Sequence, residues 1–194
     1  MTRIAQSAAA AAVALFIFGA GAADPAAGKA KAQVCAACHG PEGNSQNPAV
    51  PTLAGQPEQM IATQLYQFRE GNRKDPQMSP IAANLSNAEM NDLAAYFASL
   101  KAAPPKHKSS AENAKLGPEL AKKYNCTQCH GPALQGQQHI PRLAGQQPDY
   151  LRAQLKGFKA STRADMDGNM TSAAQALSDK DIDVLADYLA GLGG

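Results

Sequence analysis

The chain contains the run Val34-Cys35-Ala36-Ala37-Cys38-His39-Gly40, and contains it again as Asn125-Cys126-Thr127-Gln128-Cys129-His130-Gly131. No other feature restricts the fold as much. Cys-x-x-Cys-His is the attachment signature of c-type haem. Two thiols add across the vinyl groups of one porphyrin edge, and the adjacent imidazole reaches the iron from one face. A single five-residue run also suits a thiol redox pair or half of a zinc site. Here all four cysteines fall in two complete copies. Two covalently bound haem c groups are therefore expected, attached through Cys35, Cys38, Cys126 and Cys129, with His39 and His130 on the iron.

The duplication extends well beyond the motif. His39 and His130 are 91 residues apart, and Pro51-Thr52-Leu53-Ala54-Gly55-Gln56 matches Pro141-Arg142-Leu143-Ala144-Gly145-Gln146 at a shift of 90. Gln64, Leu65 and Phe68 match Gln154, Leu155 and Phe158 at 90; Leu93, Tyr96 and Leu100 match Leu185, Tyr188 and Leu192 at 92. A register this constant means two similar domains in tandem.

Each copy has the same helical layout. A first helix, about 26–35 or 113–124, leads into the motif. A second begins beside Pro57 or Pro148, where proline suits the first turn. It carries Met60, Ile61, Leu65 and Phe68, or Tyr150, Leu151, Leu155 and Phe158, at helical spacing. An irregular loop over 71–80 or 161–171 follows. The last helix opens on Ser86-Asn87-Ala88-Glu89, a capping box, or on Ser178-Asp179-Lys180-Asp181 with Asp in place of Glu. No alternating strand pattern persists, so the fold class is all-α. The division is 1–22 signal peptide, 23–100 first domain, 101–110 linker and 111–194 second domain. Pro104-Pro105 stiffens the start of the linker and Ser109-Ser110 loosens its end.

Arg3 followed by an apolar run from Ala8 to Ala20 and an Ala20-Gly21-Ala22 site reads as a cleaved secretory signal. Export to the periplasm fits the motif, because bacterial c-type cytochromes receive haem outside the cytoplasm. Net charge is +2, and four haem propionates add up to about −4 when ionised. That balance argues against nucleic acid as a partner. Lys101, Lys106, Lys108 and Lys115 against Glu112 give the linker region a local +3, which permits loose association with a membrane surface.

The sixth iron ligand has to be found among the methionines and remaining histidines. His107 and His139 read as solvent-facing loop residues, and Met60 and Met90 as core. Met78 precedes Leu85 by seven residues, as Met170 precedes Leu177. Met78 and Met170 are therefore the expected ligands, with Met166 the alternative in the second domain. A thioether favours reduced iron, and a second axial ligand leaves no vacancy for oxygen, peroxide or nitrite. The carbonyls of Pro51 and Pro141 are candidates to accept from the ligating imidazoles. Arg73 and Arg163 correspond at a shift of 90 and could pair with propionates, or be solvated.

The two Cys-x-x-Cys-His-Gly runs, the paired Pro-x-Leu-Ala-Gly-Gln segments, and Met78 with Ser79-Pro80 resemble the c4-type dihaem cytochromes c. The resemblance covers nearly all of the chain after the signal. It implies two tandem class I cytochrome c-like domains joined by a short linker, with two His/Met haems. It also implies an electron-transfer protein, not an enzyme, working in the periplasm between a membrane quinol-oxidising complex and a terminal oxidase or reductase. Met170, followed by Thr171-Ser172, departs from the Met-Ser-Pro of the first domain. The competing readings are a dihaem cytochrome subunit of a flavoprotein dehydrogenase, a haem peroxidase, and a thiol or metal module.

Overall fold

A computed structural model describes residues 22–193. The signal peptide expected over 1–22 lies outside the described residues, apart from its last residue. Ten α-helices run along the described chain, five per repeat. The first set is α1 (Pro25–Lys31), α2 (Ala36–His39), α3 (Glu58–Arg69), α4 (Met78–Ala82) and α5 (Asn87–Ser99). The second is α6 (Ala111–Lys123), α7 (Cys126–His130), α8 (Pro148–Lys159), α9 (Asn169–Gln175) and α10 (Asp179–Gly191). Among the described residues the only β pairing is an isolated bridge between Gln137 and Ile140. The all-α expectation holds.

Local chemistry starts the helices. Asp24 accepts from the Ala26 N–H at 2.8 Å, and Ser110 from the Asn113 N–H at 3.1 Å. Both expected capping boxes form, on Ser86 with Glu89 and on Ser178 with Asp181. Each satisfies two otherwise orphaned groups at a helix start.

Within each repeat the terminal helices cross at a glycine. A Cβ on Gly28 of α1 would stand 2.0 Å from the Asp92 carbonyl oxygen of α5; one on Gly117 of α6 would stand 2.1 Å from the Tyr188 ring of α10. Only glycine allows this approach. Around the first crossing, Ala32, Met60, Ile61, Leu93 and Phe97 form one core. Leu151, Phe158, Ile182, Leu185 and Leu189 form the other.

Four details differ from expectation. The first helix stops at Lys31 and tightens into a 3-10 turn over Ala32–Val34 before the motif. The loops expected over 71–80 and 161–171 hold the starts of α4 and α9, so Met78 and Met170 sit on short helices. The serines do not loosen the linker: Ser109 Oγ donates to the Asp187 carbonyl at 2.8 Å, and Ser110 caps α6. His107 is likewise half-buried rather than solvent-facing, with Nε2 2.6 Å from Asp187 Oδ1. Asp187 also accepts from the Ser110 N–H and Asn113 Nδ2.

Candidate functional site

The motif helices α2 and α7 present the same constellation twice. Cys35 and Cys126 are half-buried, Cys38 and Cys129 exposed, and no two of them are joined in a disulfide. Burial raises the Cys35 and Cys126 thiols above the ordinary cysteine value; their own backbone opposes this and the partner cysteines add to it. His39 and His130 are buried.

The imidazoles are oriented by one bond each. Nδ1 of His39 lies 2.8 Å from the Pro51 carbonyl oxygen, and Nδ1 of His130 lies 2.8 Å from that of Pro141. A carbonyl can only accept, so Nδ1 carries the proton. Burial pushes both rings below the ordinary histidine value, with the proline carbonyls partly opposing. Each ring is therefore neutral, with the Nε2 lone pair free to bind a metal. Proline has no N–H, so no donor of its own competes at that turn.

Met78 and Met170 are half-buried. An aspartate fixes the backbone at each. Asp75 Oδ1 accepts from the Met78 N–H at 2.8 Å, and Asp165 Oδ2 from the Met170 N–H at 2.8 Å. Asp165 also holds the Thr171 N–H and hydroxyl. Burial acts to raise the Asp165 carboxyl, but the Met170 N–H, a hydrogen bond with the Asp167 side chain and the Thr171 donors outweigh it and leave it below its usual value. Met170 packs against the second core, whereas Met166 is 71% exposed. Met60 and Met90 are buried in the first domain. His139 is exposed, with Nε2 3.9 Å from Asp167.

A porphyrin bearing two vinyl groups and two propionates fits these residues. Both histidine rings are buried, yet Nε2 of neither has a hydrogen-bond partner among the described residues. An open cavity of about 420 Å³ lies beside the first motif, lined by Ala37, Cys38, Gly40, Gln46, Asn47 and Val50. No three His, Cys, Asp or Glu side chains among the described residues converge on a point that could hold a bare ion.

Arg73 and Arg163 meet between the domains. Arg73 donates to Gln64 at 2.6 Å, to Gln154 at 3.0 Å and to the Tyr150 hydroxyl at 3.2 Å. Arg163 bonds to Gln154 and, at 3.3 Å, to Gln64. The guanidinium groups stack 4.5 Å and 4.4 Å from the Phe68 and Phe158 ring centres. Neither is a solvated arginine, and neither pairs with a carboxylate among the described residues. Burial lowers Arg163 to about 10, against the pull of Tyr150 and with the push of Arg73. Its Nε is buried without a partner. This is a place short of an anion, and a propionate is an anion of the right kind.

Sequence reasoning missed the roles of Gln56 and Gln146, which are buried and reach across to the other domain. It also missed Asp75 and Asp165. All four recur at a shift of 90, and that recurrence was the available signal.

Two small helical domains, each built round one Cys-x-x-Cys-His helix, define a tandem c-type cytochrome. The cytochrome c family model matches residues 25–101 and again 114–193. Cytochrome c4 of Thiocapsa roseopersicina is 42% identical over 188 residues, covering 87% of this chain and 93% of that protein. The thiosulfate dehydrogenase electron acceptor of Thiomonas intermedia is 37% identical over 186 residues, covering 90% and 85%. Reduced recombinant cytochrome c4 from Pseudomonas stutzeri superposes with a TM-score of 0.83 at 35% identity, covering 88% of this chain and all of that one. The chain belongs to the cytochrome c4 family. It is a dihaem c-type cytochrome that carries electrons, and is not an enzyme.

Proposed function

We propose that this chain is exported to the periplasm and carries electrons from a membrane quinol-oxidising complex to a terminal oxidase or reductase. His39 with Met78, and His130 with Met170, hold the two irons, and Cys35, Cys38, Cys126 and Cys129 attach the porphyrins. Arg73 and Arg163 hold propionates. The working units are residues 23–100 and 111–194, joined by 101–110. Bound haem supplies a one-electron ferrous–ferric couple.

One observation carries this reading. In both domains a neutral buried imidazole is matched by a methionine whose backbone is pinned by an aspartate. Paired this way, His39 with Met78 and His130 with Met170 would each supply two protein ligands to an iron and would leave no place for a substrate to bond. The residues then hold geometry and exclude water, which suits outer-sphere transfer. Among the described residues no helix is long and apolar enough to cross a membrane. The basic linker supports loose contact with a membrane surface.

A second reading has an observation of its own. The similarity to a thiosulfate dehydrogenase electron acceptor supports this chain as the dihaem acceptor of a dehydrogenase. The two readings separate on the electron source. Oxidised holoprotein is mixed with quinol-supplied membranes of its own source, or with thiosulfate and the matching soluble extract. Rapid reduction by the membranes, followed by reoxidation on admitting oxygen, is expected. Reduction only in the thiosulfate arm overturns the quinol route in favour of the second reading.

A further inference from the structure

The domain interface is built from the same peptide groups that orient the imidazoles. The Pro51 carbonyl accepts from His39, and the other end of that peptide, the Thr52 N–H, donates to Gln146 Oε1 at 2.7 Å. The Pro141 carbonyl accepts from His130, and the Arg142 N–H donates to Gln56 Oε1 at 2.9 Å. Each glutamine closes the contact by donating Nε2 to the next carbonyl, Thr52 at 2.9 Å or Arg142 at 3.0 Å. Gln56 and Gln146 are only 4% and 6% exposed. Each histidine is thus one peptide group away from a buried side chain of the opposite domain.

We propose that each haem is tuned from the other domain: Gln146 acts on His39 through the Pro51–Thr52 peptide, and Gln56 on His130 through the Pro141–Arg142 peptide. This rests on His39 and His130 being iron ligands. A peptide C=O and the following N–H belong to one resonant unit. When the N–H donates, the carbonyl becomes a stronger acceptor; hydrogen bonds in series polarise one another by roughly 10–30%. A stronger acceptor draws the Nδ1 proton, makes Nε2 more basic and stabilises ferric iron. The opposite domain therefore lowers the potential of each haem, and docking of the domains sets both.

The glutamines are positioning residues, and a purely mechanical role predicts something different. Loosening an interface moves both haems together or neither. The relay predicts a crossed pattern. Gln146→Leu and Gln56→Leu are made in the holoprotein. Individual potentials are read by NMR of haem methyl signals in partly reduced samples, assigned to each domain by contacts with its own side chains. Gln146→Leu raises the potential of the His39 haem and leaves the His130 haem near its native value; Gln56→Leu does the reverse. In the reduced protein, the Nδ1 proton of the affected histidine moves upfield as its bond weakens. Gln146→Glu and Gln56→Glu, which keep an acceptor, leave the affected potential at or below native, and serve if a Leu variant fails to assemble. A shift confined to the haem of the mutated domain, an equal shift of both, or no shift overturns the proposal. The native protein is titrated alongside. Two reversible one-electron waves there uphold the electron-carrier reading whatever the variants do.

Discussion

Met170 and Met166 lie four residues apart, and the repeat alone favours the first by matching its spacing to Leu177. A physical reason comes from Asp165, whose carboxylate grips the Met170 and Thr171 N–H groups, as Asp75 grips Met78. Replacing Met78 or Met170 with Ala should abolish the sulfur-to-iron charge-transfer band of one oxidised haem and open that iron to carbon monoxide. Met166→Ala should change neither, because its side chain is 71% exposed. Optical titration of the three variants with carbon monoxide checks this; loss of the band in Met166→Ala would reverse the assignment. The pairing of buried histidines with neighbouring cysteines was legible from spacing, since the motif sets all three within five residues. The proline carbonyls were legible too, because proline removes a donor and recurs in both copies. The glutamines were not, because a glutamine's role depends on a surface brought to it from elsewhere in the fold.

At the scale of elements, the capped helices were the most legible, because their signals are local. Ser86 with Glu89 specified the start of α5 to the residue. Glu89 also pairs with Lys31 of α1. The Lys31 hydrogen bond, then the Ser86 N–H and hydroxyl, pull its carboxyl down to about 2. A carboxylate depressed in the folded state adds stability that is full above its unfolded value of about 4.3. That stability is lost as pH falls towards the folded value. Acid unfolding of Glu89→Gln should therefore depend less steeply on pH than the native protein in this window, while matching its slope near neutrality. Gln keeps the capping geometry, so an unchanged acid profile would show that the Lys31 contact is too exposed to matter.

The helix crossings were illegible, although both glycines were in plain view. A glycine inside a helical pattern costs about 0.8–1.0 kcal/mol relative to Ala, so propensity alone predicts that Gly28→Ala or Gly117→Ala stabilises. The crossing reverses the sign. At Gly28 the obstruction is backbone of the facing helix, at 2.0 Å, and backbone cannot swing aside. Overpacking typically costs about 1–3 kcal/mol, which exceeds the propensity gain at the upper end. Both variants should lose stability in denaturant unfolding of the holoprotein; a gain in either would mean that the helices part without penalty. The short helices α4 and α9 were read as loops because Pro76, Pro80 and Gly168 dominate the local pattern. Carboxylates at Asp75 and Asp165 organise those turns from outside the helices themselves.

At the scale of the whole molecule, the repeat predicted two domains but not how they meet. The interface pairs equivalent residues in opposite directions: Gln56 with Arg142, and Gln146 with Thr52. Duplication thereby supplies both halves of a two-fold contact from one ancestral surface. The linker adds His107, Ser109 and Ser110 against α10. Each domain has roughly 80 residues, a size at which a core is marginal, so haem is expected to complete it. Replacing Cys126 and Cys129 with Ala should leave domain two without a cooperative thermal transition while domain one keeps its own. Two undiminished calorimetric transitions in that variant would show that the helices suffice.

The central claim is that two closed iron sites make this chain an electron carrier. Spectroelectrochemical titration of the holoprotein, with carbon monoxide admitted at the reduced end point near neutral pH, tests it most directly. Two closed sites should give two reversible one-electron waves, low-spin spectra at both ends, and no carbon monoxide adduct. One wave from one haem, or an adduct forming readily on either iron, would contradict it.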